Sequence, residues 1–149
     1  MGWDSYQRRR LAEERAALRT HFPSFSFYEP TGRTYVEGLW WSNNGNAYEM
    51  RIVVPPGYPD ECPSTYITHP RPLLDWTRHK TIESYGTSHS MHVWATDRPG
   101  WVKICTYRPE YWSAAHSMLK IIRKGMLWTL AYECHLEDGQ PLTNFLMDS

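Results

Sequence analysis

The sequence predicts an α+β domain with an antiparallel sheet, and three observations lead to that class. A helical segment opens the chain, short extended runs separated by turn residues follow, and a second helical segment comes near the end. The expected order is a helix, a meander of four strands, a long irregular segment and a central helix, with a shortened C-terminal region after it. The 149 residues suit one domain over 1–149, which would bury roughly two-thirds of the surface exposed by the unfolded chain.

The first helix has a recognisable start and stop. Asp4 followed by Gln7 matches a capping box, in which the two side chains satisfy backbone donors at the helix start. Good helix formers continue to Phe22, and Pro23 then ends the helix. The apolar stripe expected to face the core consists of Leu11, Leu18 and Phe22.

The extended region runs from residue 24 to residue 69. Asn44-Gly45 separates two strand-like runs, and this dipeptide favours a tight hairpin because both residues tolerate positive φ. A proline-rich segment then precedes a short strand at residues 64–68. Prolines at this density predict a stiff loop, since proline cannot donate to a sheet ladder. These prolines are Pro55, Pro56, Pro59 and Pro63.

Residues 70–100 show little periodicity and hold three of the seven histidines. A long segment of this kind inside a domain is often functional. A short apolar strand leads from it up to Cys105, and a helix is predicted to begin near Ser113. The face of that helix expected to be buried consists of Ala115, Leu119, Ile122, Met126 and Leu130, which recur at helical spacing.

Charge and cysteine content exclude several classes of protein. Sixteen basic residues balance sixteen acidic ones, so no global field favours nucleic acid or an anionic membrane. Apolar runs are far shorter than the roughly 20 residues of a membrane span. The start of the chain lacks the apolar core of a secretory signal, so a cytoplasmic protein is expected. Three cysteines without a CxxC pair argue against a disulfide framework and a four-cysteine zinc site; no metal and no cofactor is expected.

Cys105 poses the main question of the sequence. At the end of a strand a cysteine is often a small buried hydrophobe. On a loop after a strand it can instead be a partly exposed thiol whose reactivity depends on neighbouring charge. Lys103 and Arg108 are close enough in sequence to supply such charge.

Two segments resemble the ubiquitin-conjugating enzymes. The first is "AYEMRIVVPPGYPDECPSTYITHP", with the strand, the Tyr58-Pro59 loop and the next strand of that family. The second is "KICTYRPEYWSAAHSMLKII", with the Ile-Cys at Cys105 and the Trp112-Ser113 pair before a helix. The ordered set covers roughly residues 4–140, and implies the UBC fold.

The chain departs from the usual family pattern in two ways. It lacks the His-Pro-Asn tripeptide upstream of the cysteine, and its C-terminal region is short. Both features resemble the stand-alone conjugating-enzyme-like proteins of CBASS anti-phage operons. The resemblance implies a bacterial enzyme of antiviral defence that acts on the C-terminus of a cGAS-like nucleotidyltransferase.

The resemblance also implies roles for particular residues. Cys105 would be the nucleophile, forming a thioester and passing the acyl group to an amine. With the family's Asn missing, His92 is the preferred donor to the oxyanion, and His89 is the alternative. Asp138 or Glu137 would orient and deprotonate the attacking amine. Two further residues belong to the expected active-site loop: Trp112, packed over the cysteine loop, and Arg108, which adds positive potential.

Three other functions remain open at this point. The passenger could be a bacterial ubiquitin-like protein loaded by a separate activating enzyme. A thiol hydrolase or protease would pair Cys105 with His92 or His116. A non-catalytic binding module of the same fold is the last alternative, although such modules typically lose the cysteine. In the first reading the partner is a protein with an accessible C-terminus, either the nucleotidyltransferase or the ubiquitin-like protein.

Overall fold

A six-stranded antiparallel sheet is the centre of the fold. The computed structural model describes residues 2–146. Helix α1 (Ser5–His21) precedes the sheet, and the long helix α2 (Met118–Asp138) follows it. The strands are β1 (Phe25–Tyr28), β2 (Tyr35–Trp41), β3 (Ala47–Val53), β4 (Ser64–His69), β5 (Val93–Trp94) and β6 (Val102–Ile104). Their order across the sheet is β1-β2-β3-β4-β6-β5.

The α+β class, the helix before the sheet, the long helix near the end of the chain and the antiparallel pairing are as predicted, but the number of strands is not. The sequence predicted a meander of four strands, and the sheet has six. Of the two strands beyond the meander, β6 (three residues) is the short apolar strand predicted to lead up to Cys105, whereas β5 (two residues) was not predicted. A run as short as β5 carries too little alternation to be recognised as sheet in a sequence.

The capping box predicted for α1 is confirmed. The Asp4 side chain accepts a 2.8 Å hydrogen bond from the Gln7 backbone N–H, and the Gln7 side chain accepts one of 3.1 Å from the Asp4 N–H. Leu18 is fully buried in the core. Leu11 and Phe22 are partly buried and pack against the same core.

Helix α2 begins at Met118, so the predicted start near Ser113 is wrong. Residues 109–111 form a separate 3-10 turn, and the Ser117 side chain caps α2 by accepting from the Lys120 N–H at 3.3 Å. The predicted buried face is correct only in part: Ile122 is buried, whereas Leu130 is 49% exposed. The apolar and glycine residues that α2 buries are Met118, Ile121, Ile122, Gly125, Trp128, Ala131 and Tyr132.

Turn residues place the remaining strands. The predicted hairpin at Asn44-Gly45 joins β2 to β3, and Gly45 adopts a left-handed φ of 82° that suits glycine. The loop spans residues 42–46, longer than the tight turn the dipeptide favours. The proline-rich residues 55–63 form the predicted loop before β4. No helix within residues 2–146 is both long enough and apolar enough to cross a membrane.

Candidate functional site

Cys105 is the first residue after β6, at the edge where β6 meets β5. Its backbone N–H donates a 2.8 Å hydrogen bond to the carbonyl of His92, which precedes β5. Cys105 is only partly buried, and all three cysteines of the chain are free thiols. The residue therefore lies at the rim of the sheet, outside the hydrophobic core.

A cavity of about 230 Å³ opens at this rim. Four of the residues predicted from the sequence line it together. They are Cys105, His89, His92 and Arg108. The β5–β6 pairing brings these residues into one place, because it sets the segment before β5 against the segment after β6. The other lining residues are Thr87, Ser88, Val93, Trp94 and Glu110.

His92 is held in an unusual conformation. It has a left-handed φ of 52°, which costs a non-glycine residue about 1–3 kcal/mol and is stable only where the surroundings fix it. The His92 carbonyl accepts from the Cys105 N–H and, at 3.1 Å, from the Trp128 indole Nε1–H. The imidazole is buried, and its centroid lies 5.4 Å from that of His89.

The contact between Arg108 and His89 fixes the tautomer of the histidine. The Arg108 guanidinium lies 2.7 Å from His89 Nδ1. A guanidinium has only donors, so Nδ1 must accept and carries no proton. The neutral His89 ring therefore carries its proton on Nε2. This gives the cavity one histidine with a defined N–H donor.

Lys124 adds a positive charge that the sequence analysis missed. Its ammonium lies 4.2 Å from the ring centroid of Tyr107, two residues after Cys105. Burial lowers the pKa of Lys124, and the negative charge of an ionised Cys105 opposes that change. Lys124 is 19 positions from Cys105 along the chain, and only the packing of α2 brings the two residues together. The spacing of residues in the sequence therefore gives no sign of this contact.

Cys62 lies near the same rim, and its surroundings favour the protonated thiol. It lines a neighbouring cavity of about 340 Å³ that shares Thr87 and Trp94 with the first. Burial, with smaller contributions from the negative charges of Cys105 and Glu61, raises the pKa of the Cys62 thiol to about 11. At neutral pH this thiol stays protonated, and a protonated thiol is a poor nucleophile.

Trp112 packs beside the cysteine loop. Its buried indole donates a 2.8 Å hydrogen bond to the Pro59 carbonyl, and its ring lies 5.3 Å, edge to face, from that of Tyr107. It thereby links the segment after Cys105 to the proline-rich loop. Trp112 does not itself line the cavity around the thiol.

The two predicted acidic residues lie elsewhere. Glu137 and Asp138 are exposed in the last turn of α2, where Asp138 accepts from the Gln140 N–H at 2.9 Å. Asp138 lies ten positions beyond Trp128, about 15 Å along the helix axis. Neither residue lines the cavity, whereas Glu110 does. The position of Glu110 five residues after Cys105 was the one sequence signal for it.

No protein-family model matches the chain, and no curated protein sequence matches it. Within the described part of the chain, no group of three His, Cys, Asp or Glu side chains is placed to hold a metal ion. The cavity and its immediate surroundings offer a partly exposed thiol, two histidines, a guanidinium, a nearby ammonium and one carboxylate.

Proposed function

We propose that the protein is a cysteine-dependent acyl transferase that works as ubiquitin-conjugating enzymes do. The observation that carries the proposal is the partly exposed Cys105 at the mouth of a cavity shared with His89, His92 and Arg108. A thiolate is the reactive form of cysteine, and neighbouring positive charge favours it. Arg108 and Lys124 supply that charge.

The reaction has two steps. In the first, the Cys105 thiolate attacks the activated C-terminal carbonyl of a donor polypeptide, a thioester or an acyl-adenylate. A new C–S bond forms, and the leaving group departs with its electron pair. In the second, an amine attacks the Cys105 thioester, an amide bond forms and the thiolate is released.

The amine must lose a proton in the second step. Glu110 lines the cavity and is the carboxylate in place to accept that proton. Asp138, the residue expected from the sequence, lies at the far end of α2. We therefore assign the base to Glu110 and keep Asp138 as the alternative.

Each step passes through a tetrahedral oxyanion, which needs hydrogen-bond donors. The backbone N–H of Cys105 is already bonded to the His92 carbonyl, so we assign the donors to side chains of the cavity. The Nε2–H of His89, the Arg108 guanidinium and the His92 imidazole all line the cavity. One well-placed donor of this kind is worth about 2.7–4 kcal/mol of transition-state stabilisation.

The donor polypeptide is proposed from the family resemblance alone. On that basis the donor is the C-terminus of a cGAS-like nucleotidyltransferase in bacterial antiviral defence, and the reaction takes place in the cytoplasm. Forming a thioester from a carboxylate requires prior activation, so a separate activating enzyme belongs to the same proposal. A bacterial ubiquitin-like protein is the alternative donor.

The test is a thioester assay with the genomic neighbours co-expressed. A protein adduct that disappears with reductant is expected, since thiols cleave thioesters. Cys105→Ser should give a reductant-resistant oxyester and Cys105→Ala no adduct, while Cys62→Ala should behave as the parent protein. An adduct that persists in Cys105→Ala would contradict the proposal. Stable binding of the neighbour without any adduct would favour the binding module.

A further inference from the structure

A second cavity, which we call the basic cavity, lies beside the cysteine loop. It has a volume of about 480 Å³. Its lining combines tyrosine rings with basic side chains, and it includes no carboxylate. The lining residues are Tyr107, Tyr111, His116, Lys120, Arg123 and Lys124.

Tyr107 connects the basic cavity to the thiol. The Lys124 ammonium and the His116 ring lie 4.2 and 4.6 Å from the centroid of Tyr107. Because Tyr107 follows Cys105 by two residues, their Cα atoms are at most about 7 Å apart. Lys124 also interacts electrostatically with Cys105. The basic cavity therefore lies close to the cysteine loop.

The charges on α2 run against the helix dipole. The first turns carry Lys120, Arg123 and Lys124, and the first turn contains no acidic residue. The last turn carries Glu137 and Asp138. A helix favours the opposite arrangement, with anions at its N-terminus and cations at its C-terminus. Residues that break a local rule of stability in this way are expected at functional positions.

We propose that the basic cavity binds an acidic segment of the donor polypeptide, about two to five residues before its C-terminus. This inference rests on the proposed transfer to Cys105. An extended chain advances about 3.3 Å per residue, so a donor whose last carbonyl is at the thiol and which runs towards the basic cavity would place those residues near Tyr107. Carboxylates there would meet Lys120 and Arg123, whose charges lack any carboxylate partner among the lining residues.

A polypeptide fits the basic cavity better than a nucleic acid does. Binding of nucleic acid depends on a broad positive field that neutralises many phosphates, and this chain has a formal net charge of +0. The basic cavity is local, and it adjoins a thiol suited to a polypeptide carbonyl. A single-stranded oligonucleotide is therefore a competitor to include in the test.

The test uses short synthetic peptides with a C-terminal alkyl thioester, so that no activating enzyme is needed. One peptide has Asp or Glu two to five residues from the end, a second has Asn or Gln there, and a third has Lys. Loading of Cys105 is followed by mass spectrometry, and binding of the matching free-acid peptides by fluorescence anisotropy. We expect the acidic peptide to load and bind best, by about 2- to 5-fold per charge, with the advantage shrinking at high salt.

Charge reversal provides the decisive comparison. Both Lys120 and Arg123 are exposed, and the Lys120→Glu/Arg123→Glu variant should prefer the basic peptide. The control Arg33→Glu/Arg98→Glu changes the same number of exposed charges in a separate cavity and should keep the preference for the acidic peptide.

Equal loading of acidic and amide peptides by the parent protein would overturn the inference, as would an unchanged preference in the reversed variant. Displacement of the acidic peptide by a much lower concentration of oligonucleotide would overturn it in favour of a nucleic-acid site. If no peptide loads but the acidic one binds through Lys120 and Arg123, the inference stands and the transfer chemistry is wrong.

Discussion

The backbone N–H of Cys105 donates a 2.8 Å hydrogen bond to the carbonyl of His92. This bond continues the ladder in which Ile104 pairs with Val93. The nucleophile and the histidine are thus fixed across the last strand pair of the sheet, although 13 positions separate them in the chain. Any change at His92 can act on the thiol in two ways, through the ring and through the backbone.

We predict that the two contributions of His92 separate in a pair of variants. His92→Ala removes the ring and places alanine at φ 52°, a conformation that asparagine tolerates better. His92→Ala should lower the free energy of unfolding by about 1–3 kcal/mol, because it removes a buried ring, and it should slow thioester turnover. His92→Asn should retain most of the stability and, as an amide donor, part of the rate. Urea unfolding and single-turnover transfer measure the two effects. A loss of rate in both variants that simply follows the loss of stability would contradict a role for the ring.

We also predict selective alkylation of the two thiols at the rim. The pKa of Cys62 is raised to about 11, mainly by burial, so only about one Cys62 in a thousand is a thiolate at about pH 8. Iodoacetamide should therefore modify Cys105 first. At pH values below the pKa of Cys62, its rate should increase about tenfold for each unit of pH. Peptide mapping by mass spectrometry at several pH values measures both rates, and Cys105→Ala isolates that of Cys62. Equal rates for the two thiols would be inconsistent with the structure.

The sequence predicts those parts of the fold whose signals are local. Asp4 and Gln7 form the expected capping box, and Asn44-Gly45 turns the expected hairpin, because both depend on residues a few positions apart. The short apolar run before Cys105 likewise forms β6 as expected. Strand β5 depends on its pairing with β6, and its two residues contain no pattern of their own.

The candidate site divides in the same way. Cys105 and Arg108 lie in one short segment, and the residues around them predict both as members of one site. Lys124 reaches the thiol only because α2 packs across the sheet. The tautomer of His89 depends on a side-chain contact with Arg108. Distances of this kind follow from tertiary packing and have no signature in the spacing of residues.

Gly125 sets how closely α2 approaches the sheet, and we predict that it cannot be enlarged without loss. A Cβ at this position would overlap Met50 Cε and lie 2.8 Å from Met50 Sδ. Met50 is fully buried, so its side chain has little space to move. Gly125→Ala should lower the free energy of unfolding by about 1–3 kcal/mol, despite the gain of about 1 kcal/mol in helix propensity.

The second variant of that test is Gly125→Ala/Met50→Ala. If the clash with Met50 causes the loss, the two substitutions should be less harmful together than the sum of the single effects. Urea unfolding of the three variants and the parent measures this coupling. Additive losses would show that the clash with Met50 does not cause the loss of stability in Gly125→Ala.

Glu133, a residue of α2, joins this helix to the β2–β3 hairpin. Its buried carboxylate accepts hydrogen bonds from the Asn44 side chain at 2.7 Å, the Asn46 side chain at 2.9 Å and the Tyr48 hydroxyl at 2.7 Å. Burial alone would raise the pKa of Glu133, but the hydrogen bonds from Asn46, Tyr48, Ser42 and Asn44 together lower it. Burial, followed by the bond to Glu133, raises the pKa of Tyr48, so the hydroxyl keeps its proton. The carboxylate therefore fastens the β2–β3 hairpin to the helix that carries Lys124.

We predict a dependence of stability on pH that belongs to this one carboxylate. The pKa of Glu133 is lower in the folded protein than the unfolded value of about 4.3, so its stabilisation is complete above that value and disappears as the pH falls through the folded pKa. Glu133→Gln should lower the free energy of unfolding at about pH 7 by about 1–3 kcal/mol, because the new side-chain NH₂ of glutamine is a donor and would face groups that themselves donate. The difference from the parent should shrink below about pH 4. Glu137→Gln, one turn further on and exposed, should change stability by less than about 0.5 kcal/mol. Urea unfolding across this pH range measures all three proteins, and a difference that stays constant down to the lowest pH would show that the charge of Glu133 does not stabilise the hairpin.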